Sequence, residues 1–261
     1  MIGRDSIDRC LRIVGFLSMV IDHIGYMIIW PLYDRACVVN DVIMMGDIVP
    51  LKARQLYLAY KMTRLIGRLA LPIYSYGIVR GFHFTTSRIR YLSRLIVLAI
   101  ISEIPYDLAM SSKLFDFEGQ NVIWTWVLGL SFICCANYVK CNVRRIKYQV
   151  IYCSCLLITA ILSIWLRAEG SVLAILLIFF FEIFYYRRSF FFWIIMTTLF
   201  VLSSCKISFE LFGIVGVVMV KSTERNIRTN KISKLETLIS YAAYPVHFLL
   251  LCVISKKMLL I

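Results

Sequence analysis

Residues 11–30, LRIVGFLSMVIDHIGYMIIW, decide the class of fold. At 1.5 Å per residue a helix of this length covers the hydrocarbon core of a bilayer, about 30 Å. Apolar side chains occupy every face of that helix, so no single soluble core could bury it. After Arg12 only Asp22 and His23 break the run with a carboxylate and an imidazole. Arg4, Arg9 and Arg12 precede it as a signal peptide's basic residues would, but the apolar stretch continues to Trp30 and has no small-residue cleavage site. It reads as a retained first span.

The rest of the chain repeats this pattern. Of 261 residues, 61% are hydrophobic and only 17% charged, against roughly 45–50% and 25% in soluble domains. Lipid must replace the missing polar surface. Every backbone group in hydrocarbon needs an internal partner, and the apolar runs are continuous rather than alternating, which selects helices over a β-barrel. The expectation is an all-α polytopic membrane protein, one bundle of about nine spans formed by residues 1–261 as a single domain. The spans fall at 11–31, 62–80, 91–110, 121–139, 149–166, 171–186, 189–204, 207–221 and 236–255.

Charge orients them. The loops around Arg80, Arg88, Arg90 and Arg94, around Lys140 and Arg144, around Arg187 and Arg188, and around Lys221, Arg225 and Arg228 are basic. The loops between them, with Asp107, Asp116 and Glu118, with Arg167 and Glu169, and with Lys206 and Glu210, are acidic or neutral. Basic loops stay inside, so the N-terminus is expected to be cytoplasmic. Loop 32–61 breaks the pattern with both signs of charge; part of it, near 51–60, is expected to lie as an amphipathic helix on the membrane surface. The same bias accounts for the net charge of +14 without nucleic acid. Nine cysteines, with no CxxC pair and several inside apolar runs, give neither a disulfide framework nor a metal site.

Ionisable groups at membrane depth are costly and mark function by default. Counted from the cytoplasmic ends of their spans, His23, Arg68, Glu103 and His247 all lie roughly 14–18 Å deep. Four spans placing such groups in one layer point to a shared polar site. Asp22 is adjacent to His23, and neighbouring helical positions point about 100° apart, so only one of the two is expected to face it. Simpler readings coexist: Arg68 with Glu103 as a structural ion pair, His247 as an interhelical hydrogen-bonder, and Glu182 as an interfacial partner of Arg187 and Arg188. His83 reads as solvated, and Asp107 and Asn121 as lining an entrance or capping helices. A histidine with a carboxylate can take a proton from an amine or hydroxyl, and an arginine can hold a developing oxyanion. The same set serves a proton relay in a transporter equally well.

Several motifs are similar to those of one family. Met19-Val20-Ile21-Asp22-His23-Ile24, Gly67-Arg68-Leu69-Ala70-Leu71-Pro72, the basic stretch from Gly81 to Leu95, Ile101-Ser102-Glu103-Ile104-Pro105, Asn121-Val122-Ile123 and Tyr244-Pro245-Val246-His247 resemble, in order, elements of the TraX family. The resemblance covers about 11–130 and 241–252. It implies a pilin N-acetylase-like activity, acetyl-CoA as co-substrate, and a pilin or another secreted acceptor. It also implies His23, Asp22 and Glu103 as catalytic groups and Arg68, His247, Arg12 and Asn121 as substrate-binding groups. Arg12 and His23 further have the Arg-to-His spacing found in wider membrane acyltransferases. Arg80, Arg88 and Arg90 are the expected holders of the anionic CoA phosphates. Lys221-Ser222-Thr223-Glu224 stands where the family has a Tyr-Asn-Gly turn. A proton-coupled transporter and a non-catalytic subunit of a conjugation or pilus assembly apparatus are the alternatives.

Overall fold

The structure, a computed structural model, describes residues 4–41, 51–142, 145–185, 187, 189–204, 210–224 and 234–259. Among these residues the chain is all-α, apart from an isolated bridge between Gln120 and Ala168. The helices are α1 (Arg4–Ile24), α2 (Trp30–Asp41), α3 (Leu51–Gly67), α4 (Ala70–Phe84), α5 (Arg88–Met110) and α6 (Val122–Asn142). They continue with α7 (Arg145–Trp165), α8 (Ser171–Ile183), α9 (Phe190–Ser204), α10 (Gly213–Thr223) and α11 (Lys234–Leu259).

Four stretches are long and apolar enough to cross a membrane: Asp8–Cys37, Val122–Cys141, Lys147–Trp165 and Leu235–Met258. Shorter apolar helices, Ser171–Ile183 and Phe190–Ser203, accompany them. α10 has 11 residues, about 16 Å, and does not cover a full hydrocarbon core alone. The uneven lengths follow from burial. α8 is enclosed, with Ile175, Leu177, Ile178 and Phe181 fully buried against α4 and α6. α7 is peripheral and presents Leu157, Ile158, Ile161 and Ile164 outward, as a lipid-facing helix does.

Two expectations change. The second span is not one helix: it is cut at Arg68–Leu69, between α3 and α4. Gly67 favours the break, and Pro72 supplies no N–H in the first turn that follows. The expected surface helix near 51–60 is the first half of α3, which packs along α1 and α2. Aromatic rings fasten it there, Trp30 on Tyr60 at 4.9 Å and Tyr33 on Tyr57 at 5.5 Å. Residues 42–50, Arg144, Arg188, Lys206, Arg225 and Arg228 lie outside the described residues.

Candidate functional site

The centre of the bundle is a histidine pair. α1 brings His23 and α11 brings His247, and both are buried. His23 Nδ1 lies 2.8 Å from His247 Nε2, with the rings stacked at 5.0 Å and 18°. Phe248, tilted over His23 at 4.6 Å, and Tyr244, edge-on to His247 at 5.5 Å, wall the pair in. Immediately after His23 the helix widens into a π segment, Gly25–Ile29, a form that recurs at functional sites.

The hydrogen bonds fix the tautomers. The Ala243 carbonyl accepts from His247 Nδ1 at 3.2 Å, so that nitrogen carries a proton. With both rings neutral, His247 Nε2 is then the acceptor and His23 Nδ1–H the donor. His23 Nε2 is left with a lone pair and makes no hydrogen bond to the described residues. A backbone carbonyl, through His247, does the orienting that a carboxylate was expected to do.

The carboxylates are engaged elsewhere. Asp22 Oδ2 accepts from Arg64 at 2.6 Å, on the face of α1 turned away from His23. Arg68, at the helix break, pairs with Glu210 at 3.2 Å. Asp22 packs on Gly67 so closely that no β-carbon fits there. The expected Arg68–Glu103 pair is therefore replaced by two others, Arg64–Asp22 and Arg68–Glu210. Glu103 instead accepts from the Asn121 amide and from the Trp124 indole at 2.8 Å. Asn121 also donates to the Ala99 carbonyl at 3.0 Å and caps α6 through the Ile123 N–H at 3.1 Å. Asp107 holds the Asp116 N–H at 2.8 Å and so ties down the following loop. Neither Asp22 nor Glu103 touches the His23 ring, as a catalytic carboxylate would.

Three residues of this region were not singled out by the sequence. Arg64 falls inside the expected second span, 62–80, and Glu210 reads as an ordinary loop charge. Glu169 sits in the short turn between α7 and α8, where its N–H donates to the Gln120 carbonyl at 2.9 Å and its own carbonyl accepts from Thr125 at 2.8 Å. Its side chain is exposed, although protein crowds around the turn that carries it. Burial, and next the Asp22 charge, push its carboxyl up to about 7. The left-handed turn at Gly170, φ 75°, lets the chain reverse there. The usable signal was the pair Glu169-Gly170 between two apolar runs.

A chamber of about 810 Å³ opens at the other end of the bundle, where α1 begins and α4 ends. Arg12, Arg80, Arg94 and Asp8 line it, with Leu11, Ile73 and Tyr76 deeper in. Asp8 serves both Arg12, at 2.6 Å, and Arg80. Three arginines against one aspartate leave the chamber positive. Of the expected CoA-binding arginines only Arg80 is there. Arg88 lies over Phe82 at 4.5 Å and donates to Asn137 at 3.0 Å, and Arg90 is exposed outside the chamber. Arg12, expected at the acceptor, belongs to this basic end. His83 is exposed, as expected, and it also bonds Glu182 at 2.8 Å and stacks on Tyr185 at 4.1 Å, so among the described residues Glu182 pairs with His83 rather than with Arg187.

The family model described as TraX protein matches residues 8–255, nearly the whole chain. The chain belongs to the TraX family. Neither the curated proteins nor the solved structures give a match. TraX membership and the apolar helices make it a membrane protein related to conjugation and pilus formation. The match also covers the middle of the chain, where the motif resemblance was thinnest. There, at the missing Tyr-Asn-Gly turn, this TraX-family chain has Lys221 buried and bound to Glu224 at 2.8 Å and to the Phe184 carbonyl at 2.7 Å.

Proposed function

We propose that this TraX-family chain is a membrane-embedded acyltransferase that moves an acetyl group from cytoplasmic acetyl-CoA to an acceptor at or beyond the membrane. The acceptor is a pilin-like N-terminal amine or another amine or hydroxyl. The observation that carries this reading is the oriented histidine pair, with a free lone pair on His23 Nε2, in one bundle with a basic chamber. The N-terminus of α1, on the chamber side, is cytoplasmic in this reading, and the membrane is the bacterial inner membrane.

The chamber fits an anionic donor in sign and size: small-molecule sites run to roughly 300–1,000 Å³. Arg12 and Arg80 hold phosphates, and the thioester points down the bundle toward the histidines. His23 Nε2 takes the proton of the acceptor N–H or O–H as the acceptor attacks the thioester carbonyl. The C–S bond breaks, the acceptor keeps the acetyl group, and the departing CoA thiolate recovers the proton from His23. His247 holds the His23 ring in the required tautomer throughout. The Trp126 indole N–H, buried and without a hydrogen-bond partner among the described residues, is a free donor in the same aromatic cluster.

Release of CoA thiol by the purified protein tests this reading. His23→Ala is expected to lower turnover by about 10²–10⁴-fold, the range for a lost general base. His247→Ala is expected to cost less and to be partly restored by His247→Gln. Full turnover in His23→Ala sinks the mechanism. The broken α3–α4 helix with its ion pairs also resembles transporter architecture, the second reading. Proton-coupled substrate uptake into vesicles, with no thiol release, would decide for it.

A further inference from the structure

A second cavity lies on the outside of the bundle. It is a groove of about 480 Å³ between α5 and α11, open along its side. Its floor and walls are apolar, with Val97 and Ile101 from α5 and Ala242 and Val246 from α11. Its one charged group is Arg94, which sits with Tyr241 at the end nearest the basic chamber. From Arg94 to Ile101 the groove follows about seven residues of helix, roughly 11 Å. One leaflet of hydrocarbon is roughly 15 Å deep. The slot therefore begins at the level of a head group and ends short of the bilayer centre.

Arg94 is free to take an anion. Its Nε donates to the Arg90 carbonyl at 3.2 Å, and among the described residues it makes no ion pair. A guanidinium with its remaining donors unpaired, over a slot with no other charge, matches an amphiphile with an anionic head. Arg94 and Tyr241 also line the chamber, so such a head group would form part of the chamber's wall.

We propose that this groove binds one acyl chain of an anionic phospholipid of the inner leaflet, with its phosphate on Arg94. The site is independent of the acyl-transfer reading, because it lies on the lipid-facing side of α5 and α11 and needs no turnover to be seen.

The test is native mass spectrometry of the full chain released from detergent, titrated with phosphatidylglycerol and separately with phosphatidylcholine. One phosphatidylglycerol is expected to remain bound at detergent levels that strip the other lipids. Ala242→Trp fills the slot and is expected to weaken that binding at least tenfold. Val97→Trp, from the opposite wall, does the same if the first variant fails to fold. Arg94→Gln should erase the preference for phosphatidylglycerol over phosphatidylcholine. Val253→Trp, an exposed apolar position further along α11, should change nothing. Equal retention in well-folded Ala242→Trp and Val97→Trp, or equal loss in Val253→Trp, overturns the proposal. So does a dimer that the tryptophans dissociate, because the groove would then be filled by a second copy of the chain.

Discussion

The two charged regions of the molecule are built on opposite plans. In the chamber at the start of α1, Arg12 and Arg80 share the carboxylate of Asp8, and Arg94 has none among the described residues. At the break between α3 and α4, each arginine has its own acid, Arg64 with Asp22 and Arg68 with Glu210. A region with surplus cation is open to an incoming anion. A region whose charges are matched pair by pair spends them on holding helices together, even though Asp22 Oδ1 and the Arg68 Nε–H make no hydrogen bond among the described residues. Removing a charge should therefore damage binding in the first region and folding in the second.

The sharpest attempt to break that contrast is Arg68→Ala, which strands Glu210 in a buried position. Loss of about 3–5 kcal/mol is expected, the usual result of removing one partner of a buried pair. The double variant Arg68→Met/Glu210→Leu should recover most of it. Thermal unfolding in detergent checks both, and an unchanged Arg68→Ala would show that the pair carries no structural load. Gly67→Ala comes next. The new methyl collides with Asp22 and pushes it off Arg64, at a cost of about 1–3 kcal/mol, typical of overpacking.

Arg80→Ala should do the reverse. Stability should barely change, while KM for acetyl-CoA rises about tenfold, roughly 1.4 kcal/mol, and its salt dependence weakens. A large stability loss without a KM effect would make the chamber as structural as the helix break.

Solvent screening of the exposed Glu169 side chain leaves the smallest effect there. Its carboxyl is raised from the ordinary 4.5 to about 7, so the folded chain keeps a proton that the unfolded chain releases. Stability from this group is greatest below about pH 4.5 and is lost as pH rises toward 7. Glu169→Gln should flatten that slope in unfolding temperatures measured between pH 5 and 8. An unchanged slope would assign it to another group.

The residues legible in the sequence were those whose position along a span carries information. Depth alone put His23 and His247 in one layer, and they meet there although 224 residues separate them. The 100° step between neighbours anticipated that Asp22 and His23 face different ways. What depth cannot give is rotation and pairing. Glu103 shares the layer with Arg68, yet it faces α6, where Asn121 and Trp124 occupy it. The helix break was hidden because Gly67 and Pro72 lie in an apolar run whose hydropathy is unbroken, although both residues are breakers by their backbone chemistry. Glu169 was overlooked because Arg167, two residues away, makes the loop neutral on counting, while the crowding and the Asp22 charge that push its carboxyl up come from residues distant in sequence.

The π segment Gly25–Ile29 acts as a joint between two parts of one helix that do different work. A π turn holds one residue more than an α turn. Five residues at π pitch sweep about the same angle as four at α pitch, so deleting a single residue there would return the helix to α geometry and leave both flanks in phase. Asp22 and His23 would keep their places, and Trp30 and Tyr33 would still meet Tyr60 and Tyr57. The segment thus stores a spare residue that either half of the helix can lose without turning.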